Sequence, residues 1–353
     1  MSAEASKPNG VGYALIAAAL FGASTPFAKV LVGAVHPVML AGLLYAGSGL
    51  GLACWLLFQR GRAQQEAPLT RRDLPWLGGA ILAGGVAGPA LLMIGLMTTS
   101  ASDASLLLNL EGVLTAVLAW VVFRENVDRR IAFGMLVIVV GGALLSWKPG
   151  AGHGLSWGSL AIAGACLCWA IDNNLTRAVS GGDAVQVAAL KGATAGAVNL
   201  ALALMLGATW PPLTAIGAAA LIGLVGYGIS LVLFVLALRH LGTARTGAYF
   251  SISPFVGATL ALVWLQESPG AMFWIAGALM GVGVWLHVSE HHEHEHEHEA
   301  LDHEHAHTHD DHHQHEHDFD WDGNEPHTHL HRHEPMRHSH PHYPDLHHRH
   351  RHP

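Results

Sequence analysis

Runs of about 20 mostly apolar residues, the length that crosses the hydrocarbon core of a bilayer, recur from Val11 to Ser289 with short polar breaks between them. Ten can be drawn: Val11 to Val32, Val38 to Phe58, Leu74 to Leu96, Ala101 to Phe123, Ile131 to Trp147, Leu155 to Thr176, Val185 to Leu206, Ala215 to Leu238, Thr246 to Leu265 and Ala271 to Val288. Their length and lack of charge predict transmembrane helices. Several are rich in Gly, Ala and Ser. In lipid, helices gain little by burying apolar surface against each other, so small residues that let backbones approach are favoured at their contacts. That accounts for much of the 41 glycines.

The polar breaks differ in charge. Arg60, Arg62, Arg71 and Arg72 lie between the second and third runs, Arg124, Arg129 and Arg130 between the fourth and fifth, and Arg239 and Arg245 between the eighth and ninth. The intervening breaks carry little beyond Lys148. By the excess of Lys and Arg in cytoplasmic loops, both termini are expected in the cytoplasm. The short polar start, Met1 to Gly10, leads into a run without a small-residue cleavage site, so no cleaved signal peptide is expected.

The two halves repeat. Leu96 to Glu125 overlays Leu238 to Glu267 at an offset of 142, with Ala116, Leu118, Ala119, Val121 and Glu125 matching Ala258, Leu260, Ala261, Val263 and Glu267. Phe21, Gly22 and Lys29 correspond by type to Trp169, Ala170 and Arg177. A five-helix unit that occurs twice enters the membrane from opposite sides, the inverted repeat of alternating-access transporters. The expected fold is all-α and integral to the membrane, ten transmembrane helices as two inverted five-helix repeats. The first is residues 11–147 and the second 155–289, with a cytoplasmic N-terminus at 1–10 and a disordered tail at 290–353.

These features resemble the EamA-type drug/metabolite transporter superfamily: two halves of five helices, an aromatic–small pair before a basic residue in the first helix of each, and a helix ending in Glu before the last span. The resemblance covers Val11 to Ser289. It implies a helical bundle with a central cavity, in the inner (plasma) membrane, that moves small organic metabolites, often outward. Expected partners are the lipid bilayer, a small-molecule substrate and divalent metal ions, with room for a homodimer and no part for nucleic acid. One departure stands out. The second half has Ser253 and Pro254 where the first has Glu111 and Gly112.

Ionisable groups inside a bilayer are expensive and mark function or pairing. At about 1.5 Å per residue, Glu111 falls near the midplane with no basic residue at its depth. Thr115 lies one turn on, and Asn109 adds a polar group nearby. Lys191 and Asp172 come to similar depths and are expected to pair, next to Asn173 and Asn174. These residues are the expected substrate and proton pathway, Lys191 meeting an anionic group and Glu111 exchanging protons. Lys29 and Asp103 form a second expected pair near the outer face. Pro26, Pro89 and Pro254 are expected to interrupt the first, third and ninth helices.

Composition then separates the tail from the rest. Lys and Arg number 14 against 10 Asp and Glu before Glu290, and 4 against 16 from there on; 24 of 28 histidines lie in the tail. Nothing in it can form a core, which predicts disorder. Imidazole and carboxylate suit Zn, Ni, Co or Cu, and His294, His296, His298, His303, His305, His307 and His309 are the expected ligands. No cofactor is required. Cys54, Cys166 and Cys168 read as packing residues, an odd number that offers no disulfide framework. No nucleophile–base pair or phosphate loop appears, so an enzyme is not expected. The alternatives to a metabolite carrier are a Ni, Co or Zn transporter and a membrane-bound metal sensor, both using the tail as metal collector.

Overall fold

The computed structural model describes residues 7–58, 71, 73–123, 129–148, 154–176, 183–289, 293–298, 301–307, 327–333 and 336–341. Up to Ser289 it is helical apart from one small hairpin. The first two helices are α1 (Lys7–Val32) and α2 (Pro37–Phe58). Helix α3 (Leu74–Ala80) passes through a π-helical stretch, Ile81–Ala87, into α4 (Gly88–Thr98). Helix α5 (Ala101–Leu107) is separated from α6 (Asn109–Phe123) by Leu108 alone, and α7 (Arg129–Ser146) closes the first half. Strands β1 (Trp147–Lys148) and β2 (Gly154–Leu155) pair antiparallel. The second half holds α8 (Trp157–Thr176), α9 (Ala184–Met205) and α10 (Leu213–Gly223), then a second π-helical stretch, Leu224–Ile229, running into α11 (Ser230–Phe250). It ends with α12 (Ser253–Trp264) and α13 (Ala271–Val288).

Among the described residues, seven helical stretches are long and apolar enough to cross a bilayer. Helices α12 and α13 add two shorter apolar rods. Large side chains such as Leu82, Val121, Val122, Phe133, Leu136, Val263 and Trp285 stand exposed on the bundle surface. A surface so covered with apolar residues suits lipid. The chain is a multi-pass membrane protein.

Close packing follows the small residues. Helix α2 lies along α9, α1 along α11 and α12, α7 along α13, α8 along α4 and α6, and α5 along α12. A Cβ at Gly49 would stand 2.0 Å from Ala193 N, and one at Gly196 would stand 2.5 Å from Ala46 N, so α2 and α9 touch backbone to backbone. Leu40, Leu44, Leu92, Met93, Leu96 and Ile162 fill the buried centre.

Two expectations about helix boundaries change. The eighth and ninth apolar runs were separated at Arg239 to Arg245, yet α11 continues to Phe250. Charge does not stop a helix. Pro254 has no N–H to reach the carbonyl of Phe250, and the break falls at Ser251 and Ile252. Pro89 and Pro254 sit in the first turns of α4 and α12, where a missing N–H costs little. Pro26 does not interrupt α1, which is helical throughout.

The described residues of the tail form two strand pairs. Strand β3 (Glu293–His298) pairs antiparallel with β6 (Met336–Pro341), and β4 (Leu301–His307) with β5 (His327–His333). An alternating His/Glu pattern has strand periodicity, and a ladder of backbone hydrogen bonds needs no core. Isolated two-stranded pairs are marginal in water.

Candidate transport site

Helix α8 ends with three consecutive polar residues, and the turn of about 100° per residue sends them to different neighbours. Asp172 meets Lys191 on α9, whose Nζ lies 2.5 and 2.6 Å from its two carboxylate oxygens. Thr176, one turn along α8, donates to Asp172 Oδ1 at 2.8 Å. Asn173 faces α6, donating to Glu111 Oε1 at 2.9 Å and lying 3.4 Å from Thr115 Oγ1. Asn174 Nδ2 donates to Thr115 O at 3.3 Å and to Ala170 O at 2.8 Å. Five of the six residues expected in the pathway thus fall into two polar clusters carried by adjacent residues of α8, Asp172 with Lys191, and Asn173 with Glu111 and Thr115.

Asn109 is the exception. Its amide donates to Leu106 O at 2.8 Å and lies 3.9 Å from Met280 Sδ on α13. Two residues apart on a helix, Asn109 and Glu111 point to nearly opposite sides, so both could not face α8.

The π-helical stretch beside this network has its own polar partners. Pro89 lacks the N–H that would reach Gly85 O, and π geometry displaces the neighbouring bonds. Gly85 O instead accepts from Asn199 Nδ2 at 3.1 Å, and Gly84 O accepts from both Tyr45 Oη and Trp169 Nε1 at 2.9 Å. Helices α2, α8 and α9 therefore each supply a donor to the freed carbonyls. Gly84 is also pressed against the ion pair: a Cβ there would stand 1.9 Å from Asp172 Oδ2. Beyond Tyr45 runs a chain of half-buried rings. Tyr45 is 5.5 Å from Tyr227, Tyr227 is 5.8 Å from Phe21, and Phe21 is 5.5 Å from Phe250.

A second polar region lies at the opposite end of α4, around Lys29 and Asp103. Lys29 Nζ donates to Leu96 O at 2.5 Å and Thr99 O at 2.8 Å, carbonyls left open where α4 ends. The charge of Glu267 bears on Lys29. Glu267 accepts from Ala101 N at 2.8 Å and Ser102 N at 2.9 Å, capping the start of α5. Asp103 lies in the first turn of α5, its N–H on Ser100 Oγ. Ser100, Ser102, Asp103, Glu267, Trp147 and Phe273 line a cavity of about 450 Å³ here. Glu267→Gln puts an amide NH₂ against one of two backbone donors. It should cost about 1–2 kcal/mol, read as a lower thermal unfolding midpoint in detergent.

Tyr45, Asn199, Tyr227 and Glu267 were not among the expected site residues. Glu267 carried a signal as a repeat marker, and Trp169 as part of the aromatic–small pair. A single Tyr or Asn in an apolar run carried none. Of the expected metal ligands, His309 lies outside the described residues. The remaining six lie on β3 and β4.

A multi-pass helical bundle with polar clusters joining α8 to α6 and α9, and with broken or π-helical turns beside them, suits a membrane transporter. Family comparison identifies the branch. Residues 8–147 and again 156–289 match the EamA-like transporter family, and the chain belongs to it. It is 28% identical over 291 residues to an uncharacterized transporter of Methanothermobacter thermautotrophicus, covering 77% of this chain and 84% of that protein. It is 24% identical over 274 residues to the uncharacterized transporter YyaM of Bacillus subtilis, covering 73% and 86%. A solved crystal structure shares the fold at a TM-score of 0.58 and 21% identity, over 78% of this chain and 95% of that one.

Proposed function

We propose that the chain is a secondary transporter that moves a small organic metabolite across the plasma membrane, outward and in exchange for protons, with Glu111 as the proton-exchanging group. The observation that carries this is the setting of Glu111. It is an acid deep in a membrane helix that accepts from Asn173, with no ammonium or guanidinium at contact distance among the described residues. Acids so placed are characteristic of proton relays.

The proposed architecture is ten spans in two inverted five-helix repeats with both termini cytoplasmic. Several features support it. The family model matches the two halves separately. The π-helical stretches, Ile81–Ala87 and Leu224–Ile229, and the breaks at Leu108 and at Ser251 and Ile252, fall close to the 142-residue offset of the repeat. Helix pairs also exchange in kind: α8 against α4 and α6 mirrors α1 against α11 and α12.

Proteoliposome flux under an imposed pH gradient tests the role of Glu111. Glu111→Gln should lower gradient-driven flux by at least about tenfold, a typical contribution of a positioned proton-transfer group being larger, and flatten its pH dependence. Wild-type flux with an unchanged pH profile would rule out the coupling role.

The tail supports a second, separate role in binding divalent transition metal. Histidines face histidines in register across both ladders: His303 with His331, His305 with His329, His307 with His327, and His294 with His340. Within the helices, the described residues include no group of three or more His, Cys, Asp or Glu placed to hold a metal ion, which favours a metabolite over a metal as cargo. Equilibrium dialysis should find several Ni²⁺ or Zn²⁺ ions on the full chain at pH 7.5, lost on deletion of 290–353 and reduced at pH 5.5 as imidazoles protonate.

A further inference from the structure

The two halves of the bundle are fastened to each other where α4 gives way to α5, at the end away from the arginine-bearing breaks. We propose that Glu267 and Lys29 form a latch on that mouth, and that the seam between α5 and the α1 and α12 helices parts when it releases. This rests on the transport reading and adds the device that closes one side of the bundle.

The bonds hold both sides of the helix break at Thr99 and Ser100. Glu267, in the connection between α12 and α13 of the second half, accepts from Ala101 N at 2.8 Å and Ser102 N at 2.9 Å in the first half. Lys29 of α1 donates to Leu96 O at 2.5 Å and Thr99 O at 2.8 Å on the other side of the break. Below these contacts the helices close tightly. A Cβ at Gly257 of α12 would stand 2.6 Å from Gly22 O and 2.7 Å from Ser105 Oγ, and one at Gly22 would stand 2.2 Å from Ser253 O.

Two features show that this closure is held under tension. Gln266, next to Glu267, has a φ of 54°, left-handed backbone that a side chain other than glycine adopts at a cost. Strain of that kind persists where neighbouring contacts hold it, and the bonds of Glu267 are those contacts. The hydroxyls of Thr99, Ser105 and Ser253 are buried with no hydrogen-bond partner in the protein, although buried polar groups are normally satisfied. Thr99 lies at the break, and Ser105 and Ser253 lie where α1, α5 and α12 cross. Water entering a parted seam would satisfy all three hydroxyls and offset the bonds lost at the latch.

The repeat shows the alternative shape. At the offset of 142, Thr99 and Ser100 correspond to Leu241 and Gly242, which lie inside α11, helical from Ser230 to Phe250. The same element is therefore broken and capped in one half and continuous in the other. Halves related by an inverted repeat open opposite sides of the membrane in turn.

Thiol accessibility tests the latch. Ser105→Cys lies about 6 Å into α5 from Ala101 by helical rise, and Ser105 is 1% exposed. The full-length variant in detergent is treated with N-ethylmaleimide, and the rate is read at that residue by mass spectrometry. Adding Glu267→Gln should speed the reaction by about tenfold, the equivalent of losing one good helix cap, and Lys29→Met should act in the same direction. Gln266→Gly accepts the left-handed turn without strain and should slow it severalfold. Ser48→Cys on α2, also at a buried position, is the control and should keep its rate in all three backgrounds. An unchanged rate at Ser105→Cys in Glu267→Gln and Lys29→Met, an equal rise at Ser48→Cys, or a faster reaction in Gln266→Gly would overturn the proposal. These rates need no flux, so a latch that behaves as expected in a protein moving no solute would sink the transport reading alone.

Discussion

Lys191→Met is expected to destabilise the folded bundle by about 3–5 kcal/mol, the usual result of removing one partner from a buried ion pair. Asp172 is buried, its two oxygens are occupied by the Lys191 ammonium, and Thr176 supplies its third contact. Without Lys191 the carboxylate keeps a hydroxyl and loses its counter-charge. It also presses on Gly84, where the π-helical stretch carries the carbonyl shared by Tyr45 and Trp169. The damage should therefore reach α2 and α3 as well as α9. Adding Asp172→Asn to Lys191→Met should restore most of the lost stability, because a neutral pair leaves no charge stranded. Denaturant unfolding of the two single variants and the double variant in mixed micelles gives the comparison. A double variant no more stable than Lys191→Met would mean that the pair contributes through packing alone.

Gly49→Leu is the second large effect, expected at or above the upper end of the roughly 1–3 kcal/mol typical of overpacking. The obstacle is backbone: the first side-chain carbon would stand 2.0 Å from Ala193 N and 2.7 Å from Ala193 Cα. No rotamer relieves that clash. Gly192 across the seam would meet Gly49 N at 2.7 Å in the same way, so α2 and α9 would have to separate along their length. Gly78→Ala makes the control. A Cβ there meets nothing within 4 Å, and the gain in helix propensity of up to about 1 kcal/mol should leave stability equal or slightly higher. Thermal unfolding with retained monodispersity on gel filtration reads both.

These two residues illustrate what was legible from sequence. Depth along the membrane was readable, because rise per residue in a helix is fixed, and equal depth brought Asp172 and Lys191 together correctly. Rotation about the helix axis was less readable. Asn109 was grouped with Glu111 by nearness in sequence, although its face turns toward Met280. That Lys29 reaches the carbonyls at the end of α4 was not readable either, because end carbonyls are invisible until the helix end is placed.

Ten apolar runs, their glycines and the arginines between them follow from composition in a solvent that allows few backbone solutions, and with them the membrane character of the chain. The repeat and the deep acid at Glu111 were equally present in the letters. The tertiary structure alone decided which side chain receives each freed polar group: Asn173 for Glu111, Asn199 for Gly85 O, Glu267 for the start of α5. The physical reason is that a polar atom buried in a bundle must be satisfied by whatever donor or acceptor lies within about 3 Å. That neighbour is set by helix crossing and rotation, which no local run of residues specifies.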